Sequence, residues 1–405
     1  MSGSKPPALL VFSTLFPNVR QPNAGVFIRE RMFRVAKELP VVVVAPQAWF
    51  PFQSVLRLLK PHFRPIVPKY ESQDGIDVYH PRFLSVPGVF KSLDGFFLAL
   101  SSYWLLHRLR QTRRFNIIDA HFAYPDGYAA SLLGRWLKLP FTITLRGTEA
   151  RLIKQPAMRQ RMLQAMSQAA RVFSVSASLK QVAVDAGINS DKVMVVGNGV
   201  DTVRFNPIPK SEAREKLGIP ADARVLITVG ALCERKGFHR VLDVLPEIRQ
   251  KFQNCHYLIV GGATAEGDWD AKLKQQVVEL GLQDVVHFLG SLPPDQLALP
   301  LSAADVFVLS TRNEGWANVI LEAMACGLPV IASDVGGNAE VVANEMLGTI
   351  VAFDDAEALK NGLLQAFVRE WDSSSIMAYA RHNSWDQRVA VLTGEFSRLL
   401  SASQT

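Results

Sequence analysis

Residues 310–337 read STRNEGWANVILEAMACGLPVIASDVGG, and this segment says more about the fold than any other part of the chain. The apolar run DVFVLS at 305–310 predicts a strand, and we expect a helix from about Trp316 to Cys326 that ends at Gly327. The start of a helix offers unpaired backbone N–H groups and the positive end of the helix dipole, which together favour a diphosphate. The segment therefore predicts a phosphate-binding turn between a strand and a helix, with Ala317 and Asn318 presenting the N–H groups.

Two glutamates flank this turn. Glu314 lies in the loop, and Glu322 lies eight residues later, about two turns down the helix. The rotation over that spacing is about 80°, so both carboxylates can line one ligand from different ends. Carboxylates accept hydrogen bonds from sugar hydroxyls, which suggests a sugar-containing ligand. The alternative is a pair of solvated glutamates beside a core helix.

The same strand and helix pattern extends over the whole chain. Continuous apolar runs such as VVVVA (41–45), FTITL (141–145) and RVLITVG (224–230) alternate with segments of helical length, and the series restarts after residue 205. Such runs are typical of parallel sheets that are covered on both faces. We therefore predict an α/β fold of two Rossmann-like, doubly wound domains that face a cleft. The expected divisions are an N-terminal Rossmann-like domain at 1–205, a second Rossmann-like domain at 206–383, and a C-terminal helix at 384–405 that packs back on the first domain.

Composition and charge narrow the function further. The 405 residues are 48% apolar and 20% charged, and three cysteines give neither a disulfide framework nor zinc-ligand spacing, which fits a reducing cytoplasm. Residues 1–205 carry 27 Lys/Arg against 12 Asp/Glu, whereas the whole chain has a net charge of only +7. The first half is therefore expected to bind an anionic partner, and the alternative is that its charge serves solubility alone. No pattern of an RNA- or DNA-binding module accompanies the charge, so nucleic acid is not an expected partner.

A second segment, VGALCERKGFHRVLDVL at 229–245, also predicts a strand, a loop and a helix. Its loop contains Arg235 and Lys236, placed to neutralise a leaving diphosphate without a metal. A solvated pair of surface cations is the alternative.

Three positions in the first half are candidates for ligand contact. Gly25 precedes a helical pattern and allows a close approach of backbone to a ligand. Arg146 follows the strand FTITL and could hold a phosphate or another anion, or else be a buried partner of Glu149. His121 ends the run NIIDAH at a strand end, where it could contact a ligand in the cleft or else be a hydrogen-bonded structural residue. We expect Arg31 to be a solvated helix-surface residue.

Two further polar residues are expected to stabilise local structure and not to contact a ligand. Asp126, in the segment YPDGYAA, is expected to cap a helix, and Asn198 is expected to be a turn residue.

The segment at 310–337 resembles the E-x7-E signature of the retaining GT-B glycosyltransferases of family 4, EG-[FLW]-x-N-V-x-x-EA-x-A-x-G-x-PV. The matching positions are Glu314, Gly315, Asn318, Val319, Glu322, Ala323, Gly327, Pro329 and Val330. The resemblance implies that Glu314 contacts the donor sugar, that Glu322 holds the nucleotide ribose, and that the N–H groups near Asn318 take the diphosphate.

Two positions depart from this family. The family has G-R-L-x-x-x-KG around the second segment; Lys236 and Gly237 match, but Ala231 stands where the arginine is expected, so Arg235 is the candidate substitute. Arg146 stands where the family commonly has a histidine close to the donor sugar. The candidate catalytic residues are Glu314, Lys236, Arg235 and Arg146. The candidate donor-binding residues are Gly25, Gly315, Ala317, Asn318, Val319 and Glu322, with His121 on the acceptor side.

The expected function is a retaining hexosyltransferase that uses a UDP- or GDP-sugar and an acceptor hydroxyl on a lipid-linked glycan of cell-surface polysaccharide or lipopolysaccharide synthesis. By the resemblance, the domain at 1–205 takes the acceptor, the domain at 206–383 takes the nucleotide-sugar donor, and no metal or other cofactor is expected. The stretches 50–70 and 93–115 combine apolar and basic residues, which suggests contact with an anionic membrane from the cytoplasmic side. The alternative for 93–115 is a buried helix of the first domain with a surface-exposed basic end. Two alternatives remain: a nucleotide-sugar epimerase on the same two-domain plan, and a non-catalytic, membrane-docking sugar-binding protein.

Overall fold

A computed structural model describes residues 6–22, 24–59, 63–113, 115–264 and 267–402. The chain forms two compact units, one of Met1–Asn198 with Arg388–Thr405 and the other of Gly199–Gln387. Residues 60–62 and Arg114, which belong to the two basic and apolar stretches noted above, lie outside the described residues. Each unit is a Rossmann-like α/β domain, as the sequence predicts.

The first unit is built on an eight-stranded sheet with helices on both faces. Its strands, together with those of a separate two-stranded ribbon, are β1 Leu9–Phe12, β2 Val41–Val44, β3 Gln47–Trp49, β4 Tyr70–Gln73, β5 Ile76–Tyr79, β6 Arg82–Leu84, β7 Ile117–His121, β8 Phe141–Leu145, β9 Arg171–Ser174 and β10 Val193–Val195. Its helices are α1 Val26–Val35, α2 Gln53–Leu59, α3 Asp94–Arg113, α4 Tyr128–Leu137, α5 Glu149–Leu152, α6 Pro156–Gln168 and α7 Ala177–Asp185.

The strand order of the first sheet is β10-β9-β8-β7-β1-β2-β5-β4, and only β4 is antiparallel to its neighbour. β3 and β6 pair separately as the ribbon. Alternate side chains of β1 enter different cores, because Leu9 and Val11 pack on one face of the sheet and Leu10 and Phe12 on the other. Strands that follow β1 in the chain are first added on its β2 side and later, from β7 onward, on its other side. The loops after β1 and β7 therefore diverge and leave a crevice at the carboxyl edge of the sheet.

The second unit has a six-stranded parallel sheet in the order β13-β12-β11-β14-β15-β16. Its strands are β11 Arg224–Val229, β12 Cys255–Val260, β13 Val286–Gly290, β14 Val306–Leu309, β15 Val330–Ser333 and β16 Gly348–Val351. Its helices are α8 Lys210–Leu217, α9 Phe238–Lys251, α10 Asp270–Glu279, α11 Ala298–Ala303, α12 Asn318–Ala325, α13 Asn338–Val341, α14 Ala356–Val368 and α15 Ser373–His382. Numbered within the unit, the order is 3-2-1-4-5-6, and the crevice lies between β11 and β14.

The last helix, α16 Trp385–Ala402, buries its apolar face in the first unit. Phe396 is 1% exposed and meets Phe173 edge to face, with 5.7 Å between the ring centroids. Arg171 donates a hydrogen bond to Glu395 over 2.5 Å. Among the described residues, no helix combines the length and the apolar character needed to cross a bilayer.

Candidate functional site

The crevice of the second unit brings together three of the candidate catalytic residues. One carboxylate oxygen of Glu314, Oε1, accepts hydrogen bonds from Lys236 Nζ at 2.6 Å and from Arg235 Nη1 at 2.9 Å. Thr311 Oγ1, whose proton goes to the carbonyl of Arg235, lies 3.2 Å from the same oxygen. Arg235 and Lys236 follow β11 and Glu314 follows β14, so the two loops at the reversal of strand order form one ionic cluster, which we call the Glu314 cluster.

The charge state of Glu314 follows from this cluster. Burial alone would raise the pKa of its carboxyl, but the nearby charges of Lys236 and Arg235 and their hydrogen bonds outweigh burial and hold the pKa below its usual value. Glu314 is therefore an anion at neutral pH and the shared counter-charge of two cations.

Backbone contacts fix the two loops against each other. Arg312 N and Thr311 Oγ1 both donate to the carbonyl of Arg235, at 2.8 and 3.0 Å. Gly237 ends the first loop at φ 76°, and a Cβ there would lie 1.8 Å from the carbonyl oxygen of Ser310. Gly336 has φ 55°, and a Cβ there would lie 1.7 Å from the carbonyl oxygen of Glu314. Only glycine allows these two close approaches.

The helix after Glu314 begins later than the sequence suggests. α12 starts at Asn318 rather than near Trp316, because Ala317 has the extended angles φ −83° and ψ 92° of an N-cap residue. The backbone N–H groups of Asn318 and Val319 are at the first turn of this helix, where an anion is favoured. Gly315 lies in the loop between the Glu314 cluster and the helix.

Glu322 lies in the second turn of the same helix and is half-buried. Glu314 and Glu322 therefore occupy the loop and the helix, as the spacing predicts. The roles of both residues remain predictions.

The carboxyl edge of the first sheet holds a second cluster, centred on Arg146. The guanidinium is nine-tenths buried; its Nη1 donates to Asn198 Oδ1 at 2.9 Å and its Nη2 contacts His121 Nδ1 at 3.0 Å. The ring of Phe27 lies 5.3 Å from the guanidinium carbon. Arg146 is therefore held in one orientation from three sides.

His121 is fully buried beneath Arg146, and its protonation state can be derived. Because a guanidinium only donates, His121 Nδ1 is an acceptor, and the proton of the neutral ring is on Nε2. Nε2 lies 3.5 Å from Asp119 Oδ2. Burial, together with the charges of Arg146 and Arg31, lowers the pKa of His121 well below its usual value. His121 therefore acts on Arg146 and does not reach solvent.

The interpretation of Arg146 as a partner of Glu149 is wrong for the guanidinium. Glu149 Oε2 accepts from the backbone N–H groups of Arg146 and Gly147 at 3.0 and 2.8 Å, and Oε1 accepts from Ala123 N at 2.9 Å. The Glu149 carboxylate accepts hydrogen bonds from three backbone amides and so stabilises the loop backbone, while the guanidinium of Arg146 bonds to other partners.

Three expectations about polar residues in this unit need correction. Arg31 is 1% exposed, not solvated, because it lies on the inner face of α1 and its Nη2 donates to the carbonyl of Gly197 at 2.9 Å. Asn198 is an acceptor for Arg146 and not merely a turn residue. Asp126 does not cap a helix; it is buried and accepts from Thr14 N at 2.8 Å and Thr14 Oγ1 at 3.1 Å. Burial raises the pKa of Asp126 to about 8.

Gly25 lies at the N-cap of α1 with φ 71°. A Cβ at this position would lie 2.5 Å from the carbonyl oxygen of Leu15, so the loop after β1 closes on itself only with glycine. Gly25 and Arg146 belong to the first unit, and the Glu314 cluster belongs to the second.

Sequence reasoning did not find Asp119 and Thr311. Asp119 lies inside β7, accepts a hydrogen bond from Thr142 Oγ1 at 2.7 Å, and has a pKa that burial raises to about 6. A charged residue within the apolar run NIIDAH is the sequence feature that could have identified it.

Two doubly wound domains in one chain fit the GT-B class of glycosyltransferase folds, which solved glycosyltransferase structures of similar fold also show. Residues 26–204 match the family model described as Glycosyltransferase Family 4, and residues 209–382 match the model described as Glycosyl transferases group 1. The chain belongs to glycosyltransferase family 4.

Known relatives and solved structures agree with this assignment. A putative teichuronic acid biosynthesis glycosyltransferase, TuaC, of Bacillus subtilis is 29% identical over 337 residues, which cover 81% of each chain. A D-inositol 3-phosphate glycosyltransferase of Corynebacterium urealyticum is 30% identical over 302 residues, which cover 69% of this chain and 70% of the relative. The Anabaena protein HepE in complex with UDP has a similar fold, with a TM-score of 0.73, 21% identity, and coverage of 98% of this chain and 100% of HepE.

Proposed function

We propose that this glycosyltransferase is a retaining hexosyltransferase that moves a sugar from a UDP- or GDP-sugar to an acceptor hydroxyl on a lipid-linked glycan of cell-surface polysaccharide or lipopolysaccharide synthesis. The observation that carries the proposal is the Glu314 cluster, in which two cations and one carboxylate meet beside the first turn of α12. The relative TuaC, named for teichuronic acid biosynthesis, and the UDP complex of HepE support the acceptor class and the donor class.

In this proposal the nucleotide diphosphate binds at the first turn of α12 and replaces Glu314 as the counter-charge of Lys236 and Arg235. Charge that develops on the departing phosphate is then stabilised by two fixed cations and by backbone N–H groups, so no metal ion is required in the proposed mechanism. Glu314, released from the cations, accepts hydrogen bonds from the hydroxyls of the donor sugar. Glu322 holds the ribose.

The proposed reaction breaks the bond between the anomeric carbon and the phosphate oxygen and forms a bond from that carbon to the acceptor oxygen on the same face of the sugar. The proton of the acceptor hydroxyl goes to the departing phosphate oxygen, so the products are a glycoside and a nucleoside diphosphate. Arg146 is always protonated and cannot serve as a base. Its proposed role is to hold an anionic group of the donor or the acceptor.

The proposal is tested with the full chain, a panel of nucleotide sugars and a lipid extract that supplies acceptors. We expect acceptor-dependent release of a nucleoside diphosphate, and loss of transfer in Glu314→Ala and Lys236→Ala without loss of the fold. Glu345→Ala and Lys251→Ala, both at exposed positions of the same unit, are the matched controls. Turnover near the wild-type rate in either site variant would overturn the proposal.

The same assay separates the two alternatives. Consumption of the donor without any acceptor, with formation of an isomeric nucleotide sugar, would indicate an epimerase. Binding of a nucleotide sugar without release of nucleoside diphosphate over the whole acceptor panel would indicate a sugar-binding protein.

A further inference from the structure

Exposed apolar side chains are concentrated in one part of the first unit. Among the described residues, fourteen of the twenty-three exposed large apolar side chains lie between Trp49 and Trp104, a small part of the 405-residue chain. Within this stretch the most exposed are Phe52 and Leu58, each at 81%, then Trp104 at 74% and Phe90 at 73%. Scattered surface leucines are ordinary, but a dense group of aromatic and aliphatic side chains indicates an interaction surface.

These side chains come from neighbouring elements. We call them the apolar lobe, which consists of residues 47–58, 63–66 and 82–93 and the outer face of α3 from Phe96 to Arg108. In the two-stranded ribbon, Trp49 is the register partner of Leu84, and both are exposed, at 38% and 37%. Register partners point to the same face of a sheet, so the two side chains form one surface.

Ser85 ties the pieces of the lobe together. Its N–H donates to the carbonyl of Trp49 at 2.8 Å, and its own carbonyl accepts from Arg64 Nη1 at 2.7 Å. Its hydroxyl accepts from Lys91 Nζ at 2.8 Å and donates to Asp94, the first residue of α3, at 3.1 Å. Because the buried Ser85 joins its own segment, 82–93, to Trp49, to Arg64 and to the start of α3, the lobe is a single structural element.

The helix α3 contributes one outward stripe. Phe96, Leu100, Trp104 and Arg108 follow each other at intervals of four residues, and all are exposed. The opposite face is buried in the core through Leu98, Ala99, Ser102, Leu106 and Leu109. The stripe therefore runs from apolar to cationic along the outer face of a firmly packed helix.

Two of the most exposed aromatic side chains are held in an uncommon backbone conformation. Phe52 has φ 63° and Phe90 has φ 53°, both in the left-handed region that bulky residues rarely adopt. Strain of this kind persists where the surrounding structure and a function maintain it. At these two positions it presents a phenyl ring to solvent.

The charge of the lobe is of one sign. No Asp or Glu occurs between Glu38 and Glu71, and none occurs between Asp77 and Asp94. The described cations within these two segments are Arg57, Arg64, Lys69, Arg82 and Lys91. Apolar and aromatic side chains surrounded by cations, without acidic residues, fit the headgroup region of a membrane that contains anionic lipid.

The lobe is also bonded to the edge of the sheet that carries Arg146 and His121. Tyr124, three residues after His121, donates its hydroxyl proton to the carbonyl of Lys91 and accepts from Gly95 N at 3.3 Å. The lobe and the Arg146 cluster therefore lie at the carboxyl edge of the same sheet.

We propose that the apolar lobe inserts into the headgroup region of a membrane containing anionic lipid and holds the carboxyl edge of the first sheet at the lipid surface. Phe52, Phe90 and Trp104 are the inserting side chains, and the exposed cations Arg82 and Arg108 bind lipid phosphate. The inference that this position serves a lipid-linked acceptor rests on the proposed function. The membrane contact itself does not depend on that function.

The test is co-sedimentation of the full chain with vesicles of phosphatidylcholine alone and of phosphatidylcholine with phosphatidylglycerol. The apolar variant is Phe52→Asn, Phe90→Asn and Trp104→Gln, since asparagine tolerates the left-handed conformation and glutamine suits a helix. The charge variant is Arg82→Glu and Arg108→Glu. Val278→Asn, Met346→Asn and Val368→Gln, at exposed positions of the second unit, form the control variant.

We expect the wild type to bind the anionic vesicles. The charge variant should lose about tenfold or more in apparent affinity, since each removed cation alone contributes about fivefold. The apolar variant should also lose about tenfold or more, since burying even one large apolar side chain contributes roughly that much. The control variant should bind like the wild type. Nucleotide-sugar binding should be unchanged in all variants, so that loss of membrane binding and failure of the proposed reaction are distinguished.

Three results would overturn the inference. The first is equal binding by wild type and apolar variant, and the second is equal binding to neutral and anionic vesicles. The third is a wild type that is dimeric in light scattering and becomes monomeric in the apolar variant, because the surface would then be covered by a second copy of the chain.

Discussion

Replacing Glu314 by glutamine should remove transfer without weakening nucleotide binding. In the ligand-free chain the carboxylate of Glu314 is the counter-charge of Lys236 and Arg235. The amide of glutamine keeps the shape and one acceptor but carries no charge. In Glu314→Gln the two cations therefore remain together without their shared anion, and a diphosphate no longer competes with a carboxylate.

The size of the effect follows from the geometry. Lys236 Nζ and Arg235 Nη1 share one oxygen at 2.6 and 2.9 Å, so the two nitrogens are at most about 5.5 Å apart. At an effective dielectric constant of about 20, two unit charges at that separation repel by about 3 kcal/mol. The side chain of Arg235 is 24% exposed, so solvent reduces this value. We expect Glu314→Gln to lower the unfolding free energy by about 1–3 kcal/mol. Its affinity for nucleoside diphosphate should equal that of the wild type or exceed it by up to about tenfold.

Lys236→Ala provides the contrast. It removes a cation that would pair with phosphate, and a hydrogen bond to a charged group contributes about 1.5–3 kcal/mol, so binding should weaken about 10- to 150-fold. The assay is isothermal titration with UDP and GDP, with Glu345→Gln as the control. If Glu314→Gln weakens the binding of UDP or GDP as strongly as Lys236→Ala, the carboxylate does not compete with the diphosphate and the reasoning fails.

Three further predictions concern the framework of the two domains. Gly336→Ala should lower the unfolding free energy by about 2–5 kcal/mol and abolish nucleotide binding in a thermal-shift assay, because the new Cβ collides with backbone. The control is Gly281→Ala, where φ is 64° and no atom lies within 4 Å; it should lower the unfolding free energy by about 1 kcal/mol and leave nucleotide binding intact. The pKa of Asp126 is raised from 3.8 to about 8 by burial, so its contribution to stability is present below pH 3.8 and is lost as pH rises through about 8. Asp126→Asn should therefore raise the melting temperature above pH 8 and flatten this pH dependence. An unchanged pH profile in the variant would show that Asp126 is ionised in the folded chain. Phe396→Ala should lower the unfolding free energy of the first unit by about 3–5 kcal/mol in denaturant titration, and a loss below 1 kcal/mol would mean that α16 is not part of its core.

The Rossmann-like architecture was predictable because continuous apolar strands and helical segments alternate over the chain. The association of Lys236 with Glu314 was also accessible in outline, since each residue follows a strand and the carboxyl ends of parallel strands meet at one edge. Their shared hydrogen-bond acceptor was not accessible, because it depends on the left-handed turn at Gly237 and on the tight contact at Gly336.

Arg31 shows where sequence reasoning failed. Charge alone suggested a solvated side chain, yet the residue lies three positions after Ile28 and four before Val35, on the buried stripe of α1. The helical period was a better guide than the chemical class. His121 could be located at a strand end, but its neutral Nε2–H form follows only from the guanidinium of Arg146, which the chain brings from another strand.

The anomeric configuration of the first product formed is the measurement that tests the proposed reaction most directly. The full chain, the nucleotide sugar that it consumes and a matching acceptor would be followed by time-resolved proton NMR. We predict that an α-linked donor gives an α-linked glycoside together with one equivalent of nucleoside diphosphate, and that Glu314→Ala gives neither. A β-linked product would contradict a mechanism in which the departing phosphate takes the acceptor's proton on the same face of the sugar.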